Sequence, residues 1–91
     1  MSRRRRQWHR VLDVETTRWS GKSCEELIAT LYEMQIFEVE FESKTFQVEV
    51  EMLENTEEYV HVMVAVDDGV LPASIAPATT SFICRKSGHR D

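Results

Sequence analysis

Two neighbouring segments alternate apolar residues with mostly acidic ones, and this constrains the fold more than any other feature of the chain. Residues 37–42 read FEVEFE and, after a short turn, residues 46–52 read FQVEVEM. Because successive side chains of a strand point to opposite faces, the pattern predicts a hairpin with one apolar and one acidic face. The apolar face would carry Phe37, Val39, Phe41, Phe46, Val48, Val50 and Met52, and the acidic face Glu38, Glu40, Glu42, Glu49 and Glu51.

The same alternation predicts how the two strands pair. A register that keeps every apolar residue on one face is favoured, because a slip by one residue would turn them all to the other face. In the predicted register Glu38 lies opposite Glu49, and like charges directly opposed cost stability. The predicted apolar pairs are Phe41 with Phe46, Val39 with Val48, and Phe37 with Val50.

Periodicity and turn residues predict the remaining elements. Ser23 and Glu26 have the spacing of a capping box, and apolar residues then recur at helical spacing from Cys24 to about Met34. We expect an α+β fold in which one helix packs on one face of a three- to four-stranded, mainly antiparallel sheet, in the order α-β-β-β-β. Alternating residues over 11–17 leave an extra N-terminal strand as an alternative. The predicted strands cover residues 36–42, 45–53, 58–67 and 79–84.

Charge and length suggest how the chain is organised. With 91 residues there is room for one domain. Residues 1–22 carry +5, residues 23–84 carry −12 and residues 85–91 carry +2, for a net charge of −5. We expect a disordered basic arm over 1–7, a single α+β domain over 8–86 that includes a loop at 70–80, and a flexible tail over 87–91.

Composition also bears on the compartment. No apolar run approaches the roughly 20 residues that span a bilayer, and no apolar segment follows the arginines as in a signal peptide. We therefore expect a small soluble cytoplasmic protein without a membrane partner. Cys24 and Cys84 are expected to be separate thiols, and a bridge between them requires that their two elements touch.

The acidic face is the first candidate for function. It predicts a non-enzymatic protein-interaction module that binds a basic protein partner or a second copy of the chain. The alternative interpretation of the same row of carboxylates is a solvated outer face that discourages aggregation. The candidate protein-binding residues are Glu38, Glu40, Glu49 and Glu51.

Nucleic-acid binding through the basic N-terminus is the alternative function. Arginines can contact phosphates and a tryptophan can stack on a base. The order of one helix and three strands resembles that of double-stranded-RNA-binding domains, but their basic C-terminal helix has no counterpart and this sheet is acidic. The candidate nucleic-acid-binding residues are Arg3, Arg4, Arg5, Arg6 and Trp8.

No pattern in the sequence predicts catalytic, metal-binding or cofactor-binding residues, so we expect neither an enzyme nor a cofactor. His9, His61 and His89 lack the spacing of metal ligands. The segment 21–23, Gly-Lys-Ser, resembles the end of a phosphate-binding loop, but the required earlier glycine is replaced by Thr16. A helix cap explains these residues without a ligand.

Overall fold

The computed structural model describes residues 3–68 and 78–86, with side chains from residue 5 onward. Two helices precede a four-stranded antiparallel sheet in which each strand pairs with the next in sequence. This is the predicted α+β class, with the helices on one face of the sheet. The predicted tail over 87–91 and most of the predicted 70–80 loop lie outside the described residues. The elements are α1 (Arg3–Ser20), α2 (Cys24–Thr30), β1 (Gln35–Phe41), β2 (Lys44–Asn55), β3 (Tyr59–Asp67) and β4 (Ala78–Arg85).

The observed helix α1 differs from two predictions for the N-terminal region. Residues 11–17 are helical, so the alternative strand there is wrong, and residues 3–7 form the first turns of the helix instead of a disordered arm. Its contact face follows helical spacing, because Val11, Leu12 and Trp19 are buried and Trp8 packs against them. The stability gained by burying this stripe on the sheet outweighs the low helix propensity of the β-branched residues at 14, 16 and 17.

Helix α2 begins as the capping residues predict. The Ser23 hydroxyl oxygen accepts a hydrogen bond from the backbone N–H of Glu26 at 3.1 Å. The Glu26 carboxylate lies 3.5 Å from Lys22 Nζ. The helix ends at Thr30, short of the predicted end near Met34, because Leu31 leaves the helical conformation.

Strands β1 and β2 keep the predicted faces but not the predicted register. Val39 pairs with Phe46 and Phe37 with Val48, a shift of two residues. The cause is the turn: Glu42 and Ser43 alone connect the strands, with φ of 52° and 66°. Two consecutive left-handed residues make the tight hairpin turn that matches strand twist. The predicted register had left four residues for this turn.

The core lies between the inner face of the sheet and the two helices. The even-numbered valines of β3 and three inward residues of β2 are completely buried, and Leu27 of α2 packs against them. Trp19 is buried, with its ring centroid 6.3 Å from that of Phe37. No helix among the described residues is long and apolar enough to cross a membrane. The fully buried strand residues are Phe46, Val48, Val50, Val60, Val62, Val64 and Val66.

Candidate functional site

The four candidate glutamates lie together on the outer face of the sheet, opposite the helices. They sit on β1 and β2 at positions that alternate with inward-facing core residues. Glu38 and Glu40 are exposed, and Glu49 and Glu51 are partly exposed. We call this set, Glu38, Glu40, Glu49 and Glu51, the acidic face.

Each of these glutamates has neutral cross-strand neighbours, which corrects the prediction that Glu38 opposes Glu49. Glu38 lies opposite Gln47, and Glu49 lies between Ile36 and Ala65. Because no two of the four carboxylates are directly paired, the face avoids the largest like-charge cost. The shift by two residues thus keeps the carboxylates on the same face and removes the predicted pairing of two like charges.

Cationic side chains are missing from this surface. The outward positions of β1, β2 and β3 within the described residues include no lysine and no arginine. Glu38, Glu40 and Glu51 form no ion pair in the described part of the chain. Glu49 accepts a hydrogen bond from Gln47 Nε2 at 3.3 Å, which leaves its charge in place. The face therefore presents uncompensated negative charge at the surface.

A polar cluster occupies the other end of the outer face. The Tyr59 hydroxyl donates a hydrogen bond to Glu54 Oε1 at 3.0 Å, and His61 Nδ1 lies 3.9 Å from the same oxygen. The hydrogen bond to Glu54, together with the carboxylate charge, raises the pKa of Tyr59 above its ordinary value. A register shift between Met52 and Glu54 brings Glu54 opposite His61. No residue pattern signals this shift, so the position of Glu54 in the cluster was not predicted.

The N-terminal arginines lie on the other side of the molecule. They occupy the first turns of α1, which packs against β3 and β4 on the inner face. Arg6 and Arg10 line a groove of about 440 Å³ with Phe41 and Glu42. Gln7 Nε2 donates to Glu42 Oε1 at 2.8 Å, which fastens this end of α1 to the hairpin turn. Within one chain Arg6 and Arg10 therefore lie apart from the acidic face.

Trp8 is placed differently from the arginines with which it was grouped. It is partly buried and packs against the core. A base could stack only on the part of the indole that stays exposed. The structure therefore separates the stacking group of the nucleic-acid hypothesis from the exposed Arg6.

The two cysteines form a disulfide, so the prediction of two separate thiols is wrong. Cys24 begins α2 and Cys84 lies near the end of β4, with their Cα atoms 5.9 Å apart. A groove of about 560 Å³ beside the bridge is lined by Ile28, Arg85 and Lys86. The sequence could not show the contact, because 60 residues separate the cysteines and only the packing of α2 joins them.

The described residues hold no group of three or more histidine, cysteine, aspartate or glutamate side chains that could bind a metal ion. Lys22 belongs to the segment that resembles the end of a phosphate-binding loop. Its Nζ lies 5.3 Å from the centroid of the Trp19 ring and 3.5 Å from a carboxylate oxygen of Glu26. Structural contacts therefore account for the segment at 21–23. The expectation that the protein is not an enzyme stays a prediction.

Comparison with protein-family models, with curated protein sequences and with solved structures finds no match to this chain. Function is therefore inferred from the surface itself.

Proposed function

We propose that the protein is a non-enzymatic interaction module whose acidic face binds a basic segment of a protein partner. The observation that carries the proposal is the composition of the outer face. It holds four carboxylates with neutral cross-strand neighbours and, on the described parts of β1 to β3, no lysine or arginine. Complementary potentials speed encounter and select the partner's sign of charge.

The partner's chemistry follows from what surrounds the carboxylates. Ile36 and Leu53 are 55% and 45% exposed on the same sheet, and Met63 lies beside Glu51. A segment that carries lysine or arginine with interspersed aliphatic side chains would meet both the charges and these apolar neighbours. Exposed ion pairs each contribute only about 0.2–1 kcal/mol, so affinity would come from several charges acting together with apolar contact.

The test is fluorescence anisotropy with a labelled peptide of alternating lysine and leucine, titrated with the full chain. The face variant replaces the four glutamates of the acidic face with glutamine. A matched control changes four exposed glutamates elsewhere: Glu25→Gln, Glu33→Gln, Glu57→Gln and Glu58→Gln. Both variants lose four negative charges, so any difference in their peptide affinity reports where on the surface those charges lie.

We expect the face variant to bind about tenfold more weakly or worse, and the control to stay within about threefold of the parent chain. Added salt should weaken parent binding. Equal losses in both variants would show attraction to net charge alone and contradict the proposal, as would no loss in either. Labelled single-stranded DNA is run in parallel. Tighter binding of DNA, lost on Arg6→Gln and Arg10→Gln but kept in the face variant, would favour the nucleic-acid alternative instead.

A further inference from the structure

The two edge strands of the sheet differ in how they are protected. The strand order leaves β1 and β4 with one unpaired side each within the described sheet. Such an edge presents free backbone donors and acceptors that can pair with another strand, and proteins usually block it with charge, proline or a bulge.

Strand β1 carries that protection. Glu38 and Glu40 alternate along it, and Glu42 follows in the turn. An antiparallel copy of β1 beside this edge would bring these carboxylates close to their counterparts, and like charges across strands are destabilising. Edge pairing through β1 is therefore disfavoured.

Strand β4 carries such protection only at its last residue, Arg85. From Ala78 to Cys84 it has no charged residue, and the strand contains no proline. Its pairing with β3 runs without a register shift. Thr79, Thr80, Phe82 and Ile83 are residue types that favour strands. Helix α1 packs against β4, and a groove of about 590 Å³ at the beginning of the strand is lined by residues of α1 together with Thr79 and Thr80.

The backbone pattern shows which residues of β4 offer free groups. The Lys86 N–H donates to the Glu58 carbonyl oxygen at 2.9 Å, so this pair is a hydrogen-bonded pair of the antiparallel ladder. Hydrogen-bonded and non-hydrogen-bonded pairs alternate, so the even-numbered residues of β4 direct their backbone groups towards β3. The odd-numbered residues direct their backbone groups away from β3, to the free edge of the sheet, and we call these the outward groups. They are Thr79, Ser81, Ile83 and Arg85.

We propose that β4 pairs antiparallel with β4 of a second copy of this chain, across a two-fold axis at Phe82, to form one continuous sheet. This register satisfies the outward groups of all four residues, because Thr79 meets the second copy's Arg85 and Ser81 meets its Ile83. It opposes no like charges. An axis at Ser81 would leave Arg85 without a partner in β4, and an axis at Ile83 would leave Thr79 without one, because the strand runs from Ala78 to Arg85.

Side chains on both faces fit the same axis. Phe82 would lie directly opposite its counterpart on the inner face, and aromatic cross-strand pairs are favourable. On the outer face Ile83, which is 47% exposed, would lie beside Ser81 of the second copy. This interface uses β4 and is independent of the acidic face on β1 and β2.

Sedimentation equilibrium of the full chain tests the proposal at about 50 μM, well above a micromolar dissociation constant. The chain of 10.6 kDa should sediment with twice that mass. Ser81→Lys combined with Ile83→Lys should give a monomer with an unchanged circular dichroism spectrum, because ammonium groups then oppose each other. A matched control, Thr45→Lys with Ile36→Lys, also replaces one exposed hydroxyl residue and one exposed isoleucine, but on β1 and β2. This control should remain dimeric.

The register has its own test. Ser81→Lys combined with Ile83→Glu would place opposite charges together at both symmetric positions, so dimerisation should return. Ile83→Pro removes an outward N–H without touching the β3 ladder and should also give a folded monomer. A monomeric parent chain, or a dimer that persists in the two-lysine variant, would overturn the proposal. So would a failure of the lysine–glutamate pair to restore the dimer. The four-glutamine face variant should stay dimeric, which keeps this outcome separate from that of the proposed function.

Discussion

The two faces of β2 show how one strand serves two different surfaces. Phe46, Val48 and Val50 are completely buried against the helices, whereas their neighbours Thr45 and Gln47 are exposed. The backbone is the same, so the difference lies in what each face contacts. The inner face supplies stability through burial, and the outer face is free to carry charge. Stability and recognition should therefore respond to different substitutions.

The sharpest test of this division compares adjacent residues. Phe46→Ala should lower the free energy of unfolding by about 3–5 kcal/mol, because the removed ring leaves a cavity in the core. Gln47→Ala should change it by no more than about 0.5 kcal/mol. Urea denaturation with unchanged m-values measures both. Similar losses from the two substitutions would contradict the assignment of the faces.

The disulfide strengthens the inner side further, because it ties α2 to the end of β4. Replacing Cys24 and Cys84 together with serine should cost about 4 kcal/mol, since the bridge closes a loop of about 60 residues in the unfolded chain. Dithiothreitol should lower the urea midpoint of the parent chain towards that of this variant and leave the variant unchanged. Two titratable thiols in the untreated parent chain would show that the bridge is absent.

This bridge also bears on the compartment. Disulfides are uncommon in a reducing cytosol and common in oxidising compartments. A cytoplasmic location stays a prediction, and the thiol state of the protein isolated under alkylating conditions would bear on it directly.

The hairpin turn explains why the faces were predictable but the register was not. Alternation fixes only whether a residue points in or out, and a shift of two residues preserves it. Glu42 and Ser43 lack the Asn-Gly signature of a two-residue turn, so no local signal favours such a turn over a longer one. The four candidate glutamates were therefore placed on the correct face with the wrong neighbours.

The turn can be tested by a substitution that should stabilise the protein. Ser43 has a φ of 66°, a conformation that glycine adopts without the cost borne by other residues. Ser43→Gly should raise the free energy of unfolding by about 0.5–1 kcal/mol. Thr45→Gly, two residues later in regular strand, should lower it. A loss of stability in the first variant would contradict the two-residue turn and the register that depends on it.

Helix α1 was missed for a different reason. Glu15 is 4% exposed and occupies a position in the buried stripe where an apolar residue would have revealed the helical period. Arg18 Nη1 lies 3.6 Å from its Oε1. The first turn contains arginines instead of the acidic residues that favour a helix start. Contact with the sheet, which the sequence does not display, stabilises the helix despite these local signals.

The smallest expected effect concerns the outer face alone. Tyr59 keeps its proton more tightly than usual because its hydroxyl donates to Glu54 and the carboxylate disfavours a phenolate. In a Tyr32→Phe background, absorbance at 295 nm follows Tyr59 alone. Glu54→Gln should lower the Tyr59 pKa, and Glu54→Ala should bring it closest to its ordinary value, about 10.

The raised pKa also fixes the sign of a pH effect on stability. Above pH about 10 the unfolded chain releases the Tyr59 proton before the folded chain does, so the stability that the hydrogen bond contributes is lost as pH rises through the folded pKa. Below pH about 10 the contribution is complete, and it should be absent at every pH in Glu54→Ala. The side chain lies at the surface, so the change in stability should be small beside the changes caused by substitutions on the inner face.

A Tyr59 pKa that stays the same in Glu54→Gln and Glu54→Ala would show that the outer cluster does not form. A large alkaline loss of stability removed by Glu54→Ala would instead show that the outer face helps to hold the fold, against the division seen in β2.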